Sequence, residues 1–185
     1  MNLDAQEFLD LVEETRRLVF FDIESMSMQA DYGSVLCASF KPFKMKPFTF
    51  HINEVGNDKD VVIAAKNELE SYSCWCSHYG KGFDIKFLNT RLLKWGEPPI
   101  EKRPHVDLFF VTMSALQLGR KSQAHLNKFF GTKEKKMSVS PNVWSEIPFK
   151  FDEHMSRVVK RCESDVRGLE CNYIKLRKFI RDVKR

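Results

Sequence analysis

Leu18-Val19-Phe20-Phe21-Asp22-Ile23-Glu24 is a short apolar run that closes on two carboxylates. Its length and its Val, Ile and Phe content predict a covered β-strand rather than a helix. Side chains two apart on a strand share a face, so Asp22 and Glu24 point the same way. Two carboxylates aimed at one spot repel each other unless a cation lies between them. The pair is a candidate metal site, and its worth depends on whether other acids reach the same place.

Two further patterns supply such acids. Phe83-Asp84-Ile85-Lys86-Phe87-Leu88-Asn89-Thr90-Arg91-Leu92-Leu93 has apolar residues at 83, 87, 88 and 92, the spacing of an amphipathic helix, with Asp84 at its very start. Gly80-Lys81-Gly82 is a turn after the apolar stretch Ser73 to His78, so a strand delivers Asp84 to a loop-to-helix junction. Farther along, Asp165 lies in a helix whose inward stripe is Val158, Val159, Cys162, Val166 and Leu169. Acids so placed suit phosphodiester hydrolysis by two divalent ions ~4 Å apart, which needs one carboxylate shared between the ions and others holding each. Hard oxygen donors select Mg²⁺ or Mn²⁺ over zinc.

Asp22-Ile23-Glu24, Phe83-Asp84-Ile85-Lys86-Phe87-Leu88 with Arg91, and Cys162 with Asp165-Val166 resemble the three exonuclease motifs of the DnaQ-like (DEDD) 3′-5′ exonuclease superfamily. The flavour is that of family B DNA polymerase proofreading domains and YprB-type stand-alone relatives. His105-Val106-Asp107-Leu108-Phe109-Phe110, with Ser122 to Gly131, resembles the segment those proteins carry between the second and third motifs, so the similarity runs from about Leu18 to Leu176. The resemblance implies a ribonuclease H-like fold and a two-metal exonuclease. Asp22, Glu24 and Asp165 would hold the first ion, with Asp22 shared and Asp84 helping to hold the second through water. Ser25, Met26, Lys81, Arg91 and Arg161 are the residues expected to touch substrate. The sequence departs from the family at the Tyr or His that precedes the last Asp, where Arg161 and Lys160 stand; neither acts as a base while charged. His154, Glu163 and Asp107 are the candidate auxiliary groups. The Asn that often precedes the second motif is missing too, with Tyr79 and Gly80 in its vicinity.

The rest of the 185-residue chain is read as one ribonuclease H-like domain of the α/β class, large enough to bury ~70% of its unfolded surface. Asp4 caps a helix to about Arg16, with Glu7 as capping-box partner. Strands follow at Leu18 to Glu24, Val35 to Phe40 and Phe48 to Ile52, then a helix from Asp60 to Ser71 and a strand from Ser73 to His78. The helix Phe83 to Trp95 stops at Gly96-Glu97-Pro98-Pro99. A strand spans His105 to Phe110, and helices run from Val111 to Leu118, Ser122 to Phe130, and Asp152 onward. Three antiparallel strands followed by parallel additions make a mixed five-stranded sheet flanked by helices. Lys133 to Pro148 reads as a long irregular stretch, a candidate loop over the site.

Thirty basic against twenty-five acidic residues give a formal charge of +5. The density is local: Arg157, Lys160, Arg161, Arg167, Lys175, Arg177, Lys178, Arg181, Lys184 and Arg185 crowd the end of the chain, and Lys133, Lys135 and Lys136 the irregular stretch. Beside a phosphodiesterase site such clusters predict phosphate contact and salt-sensitive affinity; otherwise they are solvated faces. Five Cys, an odd number, with no secretion signal or ~20-residue apolar span, lead to an expectation of reduced thiols and a cytoplasmic location without a membrane. Cys74, Cys76 and His78 alternate onto one strand face, but in a central strand packing is a better reading than zinc.

Two functions stand beside each other. One is a metal-dependent 3′-5′ exonuclease acting on single-stranded or frayed 3′ ends of DNA or RNA. The other, which Arg161 favours, is a weakened relative that binds nucleic acid or docks a protein. An internal-cutting nuclease is a third, with no residue arguing for it specifically.

Overall fold

The computed structural model describes residues 4–134 and 140–181. Helix α1 (Ala5–Glu14) starts at the expected capping box, with Asp4 accepting from Gln6 and Glu7 N–H and Glu7 accepting from Asp4 N–H. Strands β1 (Leu18–Ser25), β2 (Val35–Pro42) and β3 (Phe48–His51), helix α2 (Lys59–Ser71), strand β4 (Cys74–Ser77) and helix α3 (Asp84–Lys94) follow in the expected order. Then come β5 (His105–Asp107), α4 (Leu108–Ala115), α5 (Gln123–Phe129), α6 (Pro141–Glu146) and the long α7 (Phe151–Leu176), closed by a short 3₁₀ turn, Arg177–Phe179.

The sheet has five strands in the order β3-β2-β1-β4-β5. The pairs β1–β2 and β2–β3 are antiparallel, whereas β1–β4 and β4–β5 are parallel, so the mixed sheet expected from the sequence is present. Alternation along β1 divides it between two layers. Val19, Phe21 and Ile23 join Val62, Ala65 and Leu69 of α2 and Phe87, Leu88 and Leu92 of α3 in one core. Leu18 and Phe20 join Leu9 and Val12 of α1 and Val166, Leu169 and Tyr173 of α7 in another. No helix among the described residues is long and apolar enough to cross a membrane.

Two stretches differ from expectation. The strand at His105 ends at Asp107, because the Asp107 carboxylate accepts the N–H of Phe109 and starts α4 there. Leu108-Phe109-Phe110 therefore opens a helix instead of prolonging a strand. The supposedly irregular Lys133 to Pro148 contains α6, whose Ser140-Pro141 start and Val143 and Ile147 spacing are ordinary helix signals. Lys135 and Lys136 fall outside the described residues.

Candidate active site

The acids meet where β1 and β4 part. Parallel pairing between these strands covers only Leu18 to Phe20, with β4 passing Cys74 to Cys76 alongside. Beyond Phe20 the strands diverge, and the crevice beyond the carboxyl ends of parallel strands is where open α/β sheets place their sites. Asp22 and Glu24 lie just past the divergence, opposite Ser39 and Cys37 of β2. The pairing register shifts between Glu24 and Ser25, so regular pairing breaks immediately after the second acid.

Helix α7 crosses this face and presents Asp165 to it. One carboxylate oxygen from each of Asp22, Glu24 and Asp165 lies within 4.8 Å of the others. They form the one such group of three potential metal-binding side chains among the described residues. Asp165 is 3% and Glu24 8% exposed, so their charges are costly without compensation. Cys162, one turn before the position after Asp165, steadies the cluster: its thiol donates at 3.3 Å to the Asp22 carbonyl and at 3.6 Å to the Asp22 carboxylate. Burial, and then its thiol neighbour Cys37, push the Cys162 pKa well up, which keeps it a protonated donor.

Asp84 approaches from the other edge of β1. Because Arg17 carbonyl accepts from Cys74 N–H of β4, alternate residues 19, 21 and 23 turn their backbone groups toward that side. At Ile23 the neighbour has gone, and the Asp84 carboxylate accepts the Ile23 N–H at 3.1 Å in its place. Asp84 is 5% exposed, and its pKa is pushed up to about 7, first by burial and further by the charge of Asp107. Asp84 is outside the three-acid group but fastened to the peptide between Asp22 and Glu24.

Asp107, the expected auxiliary acid, is engaged by backbone donors. Besides capping α4, it accepts Tyr79 N–H at 2.7 Å and Lys81 N–H at 3.0 Å, clamping the loop that delivers Asp84. Tyr79 takes a left-handed φ of 68° within that loop, and its ring lies against Phe109 at 4.9 Å and Phe110 at 6.1 Å. Gly82 passes so close to the ring that an added Cβ would meet it at 2.4 Å. The result is an aromatic surface beside the exposed Lys81, with Tyr79 45% and Phe110 39% exposed. A cavity of 610 Å³ borders Lys81, Asp107, Phe110 and Phe179, and Asp22, Glu24, Asp84 and Asp165 are not among its lining.

The remaining candidates divide. Ser25 donates to the Ser27 carbonyl at 2.7 Å, and Met26, half-buried against the core, follows the acids at the end of β1. Arg91, expected to touch substrate, is 2% exposed, bonded by Nε and Nη2 to Asp58 at 2.8 and 2.9 Å, and by Nη1 to Ala30 carbonyl. Its place among Phe87, Leu88 and Leu92 on the inward stripe of α3 was the available signal that this charge is buried and needs a partner. His154 bonds Glu146 of α6 at 3.0 Å and lies eleven residues from Asp165, about 16 Å along the helix, so it is not an auxiliary base. Glu163, two residues from Asp165, points away from it around α7 and lies between Thr49 of β3 and Arg167. The basic end of the chain is also less free than its sequence suggests: Arg157 pairs with Glu153, Arg167 with Glu134 and Glu163, and Arg177 with Asp10 and Glu13. Lys160, Lys175, Lys178 and Arg181 are exposed.

A family model described as RNase_H superfamily matches residues 19–173, from the start of the acid-bearing strand to the far half of α7. The chain belongs to the RNase H superfamily. No curated protein matches it. A solved structure of the family B DNA polymerase from the hyperthermophilic archaeon Pyrobaculum calidifontis is similar, with a TM-score of 0.64 and 18% identity over 85% of this chain. The matched region is 24% of that polymerase, and at this identity the likeness concerns the fold alone. For a member of the RNase H superfamily, three clustered carboxylates, two on β1 and one on α7, fit a divalent cation by their chemistry: all are hard, anionic oxygen donors. Superfamily and acid cluster together support a nuclease-like function.

Proposed function

We propose that this chain is a metal-dependent 3′-5′ exonuclease that hydrolyses phosphodiester bonds at unpaired ends of DNA or RNA, acting as one domain. The observation that carries this reading is the convergence of Asp22, Glu24 and Asp165 within 4.8 Å, with Asp84 fastened to the peptide between the first two. Two bound Mg²⁺ or Mn²⁺ ions would supply an activated water and stabilise the leaving oxygen. Asp22, Glu24 and Asp165 would hold the first ion, with Asp22 shared and Asp84 helping to hold the second through water. Cys162 fixes the Asp22 carboxylate, and Asp107 fixes the loop that carries Asp84. The terminal nucleotide lies by Ser25 and Met26, and the strand leading to it stacks over Tyr79, Phe109 and Phe110 with its phosphates toward Lys81. Five free thiols, four of them buried, agree with a reducing cytoplasm.

One observation favours a second reading, a binding module of low activity. In place of the Tyr or His expected near the last Asp stands Arg161, which pairs with Glu24 at 2.9 Å. End-labelled single-stranded DNA and RNA, incubated with Mg²⁺ or Mn²⁺ beside the Asp22→Ala protein, separate the readings. A ladder from the 3′ end that disappears with Asp22→Ala supports the exonuclease. Binding without cleavage supports the module, and internal cuts an endonuclease.

A further inference from the structure

Arg161 sits one turn before Asp165 on α7, at the mouth of the acid cluster. Its Nε is 2.9 Å from Glu24 Oε1 and 3.9 Å from Asp165 Oδ2. The guanidinium also lies over the ring of Trp144, 5.3 Å from its centre. Trp144 belongs to α6, so a separate element packs the cation against the acids. The Arg161 side chain is 20% exposed, against 10% for Glu24 and 4% for Asp165.

We propose that Arg161 is the resident counter-cation of this site, and that a divalent ion enters by displacing its guanidinium from Glu24 and Asp165. The inference rests on the nuclease reading above. Three carboxylates crowded in a part-buried place need positive charge when no ion is bound, and among the described residues Arg161 is a cation within ion-pair distance of two of them. A guanidinium does not lose its proton, so it cannot yield to the ion by becoming neutral. It has to move. The Glu24 oxygen that faces its Nε is not available to a metal while that contact stands, and two cations a few ångströms apart repel. Trp144 holds the planar cation from behind and raises the cost of moving it. The acids are thereby kept together without metal, and affinity for metal is lower than the carboxylates alone would give.

Mn²⁺ titrations followed by electron paramagnetic resonance of the free ion test this on the whole chain. The proteins are wild type, Arg161→Gln, Trp144→Ala and, as the site control, Asp22→Asn. Arg161→Gln is expected to bind Mn²⁺ about tenfold more tightly, the scale of an ordinary coupling between sites. Trp144→Ala should shift affinity the same way by a smaller factor. Without metal, Arg161→Gln should melt below wild type, and Mn²⁺ should raise its melting temperature more than it raises wild type's. Equal or weaker Mn²⁺ binding by Arg161→Gln overturns the counter-cation role. If that variant does not fold, unchanged or weaker binding by Trp144→Ala overturns it. Mn²⁺ binding that Asp22→Asn does not diminish overturns the metal reading itself, a different failure.

Discussion

The carboxylate of Asp84 accepts the backbone N–H of Ile23 at 3.1 Å, and so takes the place that a longer β4 would have filled beside β1. One side chain thus does two jobs: it closes the sheet where two strands part, and it sets an acid against the peptide joining Asp22 to Glu24. The two jobs are separable by substitution. Asp84→Asn keeps a carbonyl acceptor for Ile23 and should unfold in urea within about 1 kcal/mol of wild type, whereas Asp84→Ala orphans a buried N–H and should cost about 1–3 kcal/mol. Both should abolish the proposed 3′ trimming. An Asp84→Asn protein that trims at the wild-type rate would remove Asp84 from the site.

Asp58 is 0% exposed and holds four donors: Nε and Nη2 of Arg91, the indole N–H of Trp95 and the backbone N–H of Val35. This network ties α2, α3 and β2 together and has no group directed at the acids. Asp58→Ala strands a buried guanidinium and should cost about 3–5 kcal/mol in urea unfolding. Arg91→Lys, which cannot reproduce the two-pronged contact, should also destabilise. Folded Arg91→Lys protein should bind single-stranded DNA as wild type does; a large loss of binding would return Arg91 to the substrate path.

His105 and Asp84 titrate against each other. Burial, with a smaller contribution from Lys81, pushes buried His105 down to about 3, and it bonds Ser77 at 2.7 Å, whereas Asp84 is pushed up to about 7. Between about pH 4 and 6.5 unfolding adds a proton at His105, so acid lowers stability there; unfolding releases one from Asp84, so acid raises it. Asp107, also raised by burial, acts on the side of Asp84. In metal-free buffer the wild-type melting temperature should therefore change little from pH 6.5 to pH 5. Asp84→Asn exposes the histidine's slope and should lose about 2 kcal/mol over that interval, and His105→Gln should gain with acid. Parallel pH profiles for the two variants would contradict the assignment.

Tyr79 is expected to contribute to binding and not to chemistry. Removing its ring with Tyr79→Ala should weaken single-stranded DNA or oligouridylate binding by about 1–3 kcal/mol, the range for loss of one stacked base. Fluorescence anisotropy in the presence of Ca²⁺ would measure it. Binding should fall steeply with salt in wild type and variant alike, with a shallower slope after Lys81→Gln. Unaltered affinity in Tyr79→Ala would move the strand's path elsewhere.

Local sequence determined most of the elements and the acids' addresses. A four-residue apolar run followed by Asp-Ile-Glu is a covered strand because a strand buries such a run and sets both acids on one face. The capping box at Asp4 and Glu7, the turn at Gly80 to Gly82 and the stripe from Val158 to Leu169 are likewise short-range signals, and the structure reproduces each. What tertiary structure decided was which charges face one another. Arg91 and Arg161 are indistinguishable as letters, yet one is locked to Asp58 in the core and the other lies on Glu24 and Trp144 at the acids. Asp107, a candidate auxiliary acid in the sequence, clamps a loop because the Tyr79 and Lys81 amides meet it across β4 and β5. Pairings like these join residues dozens of positions apart. Their energies depend on distance and burial, which the order of residues does not record.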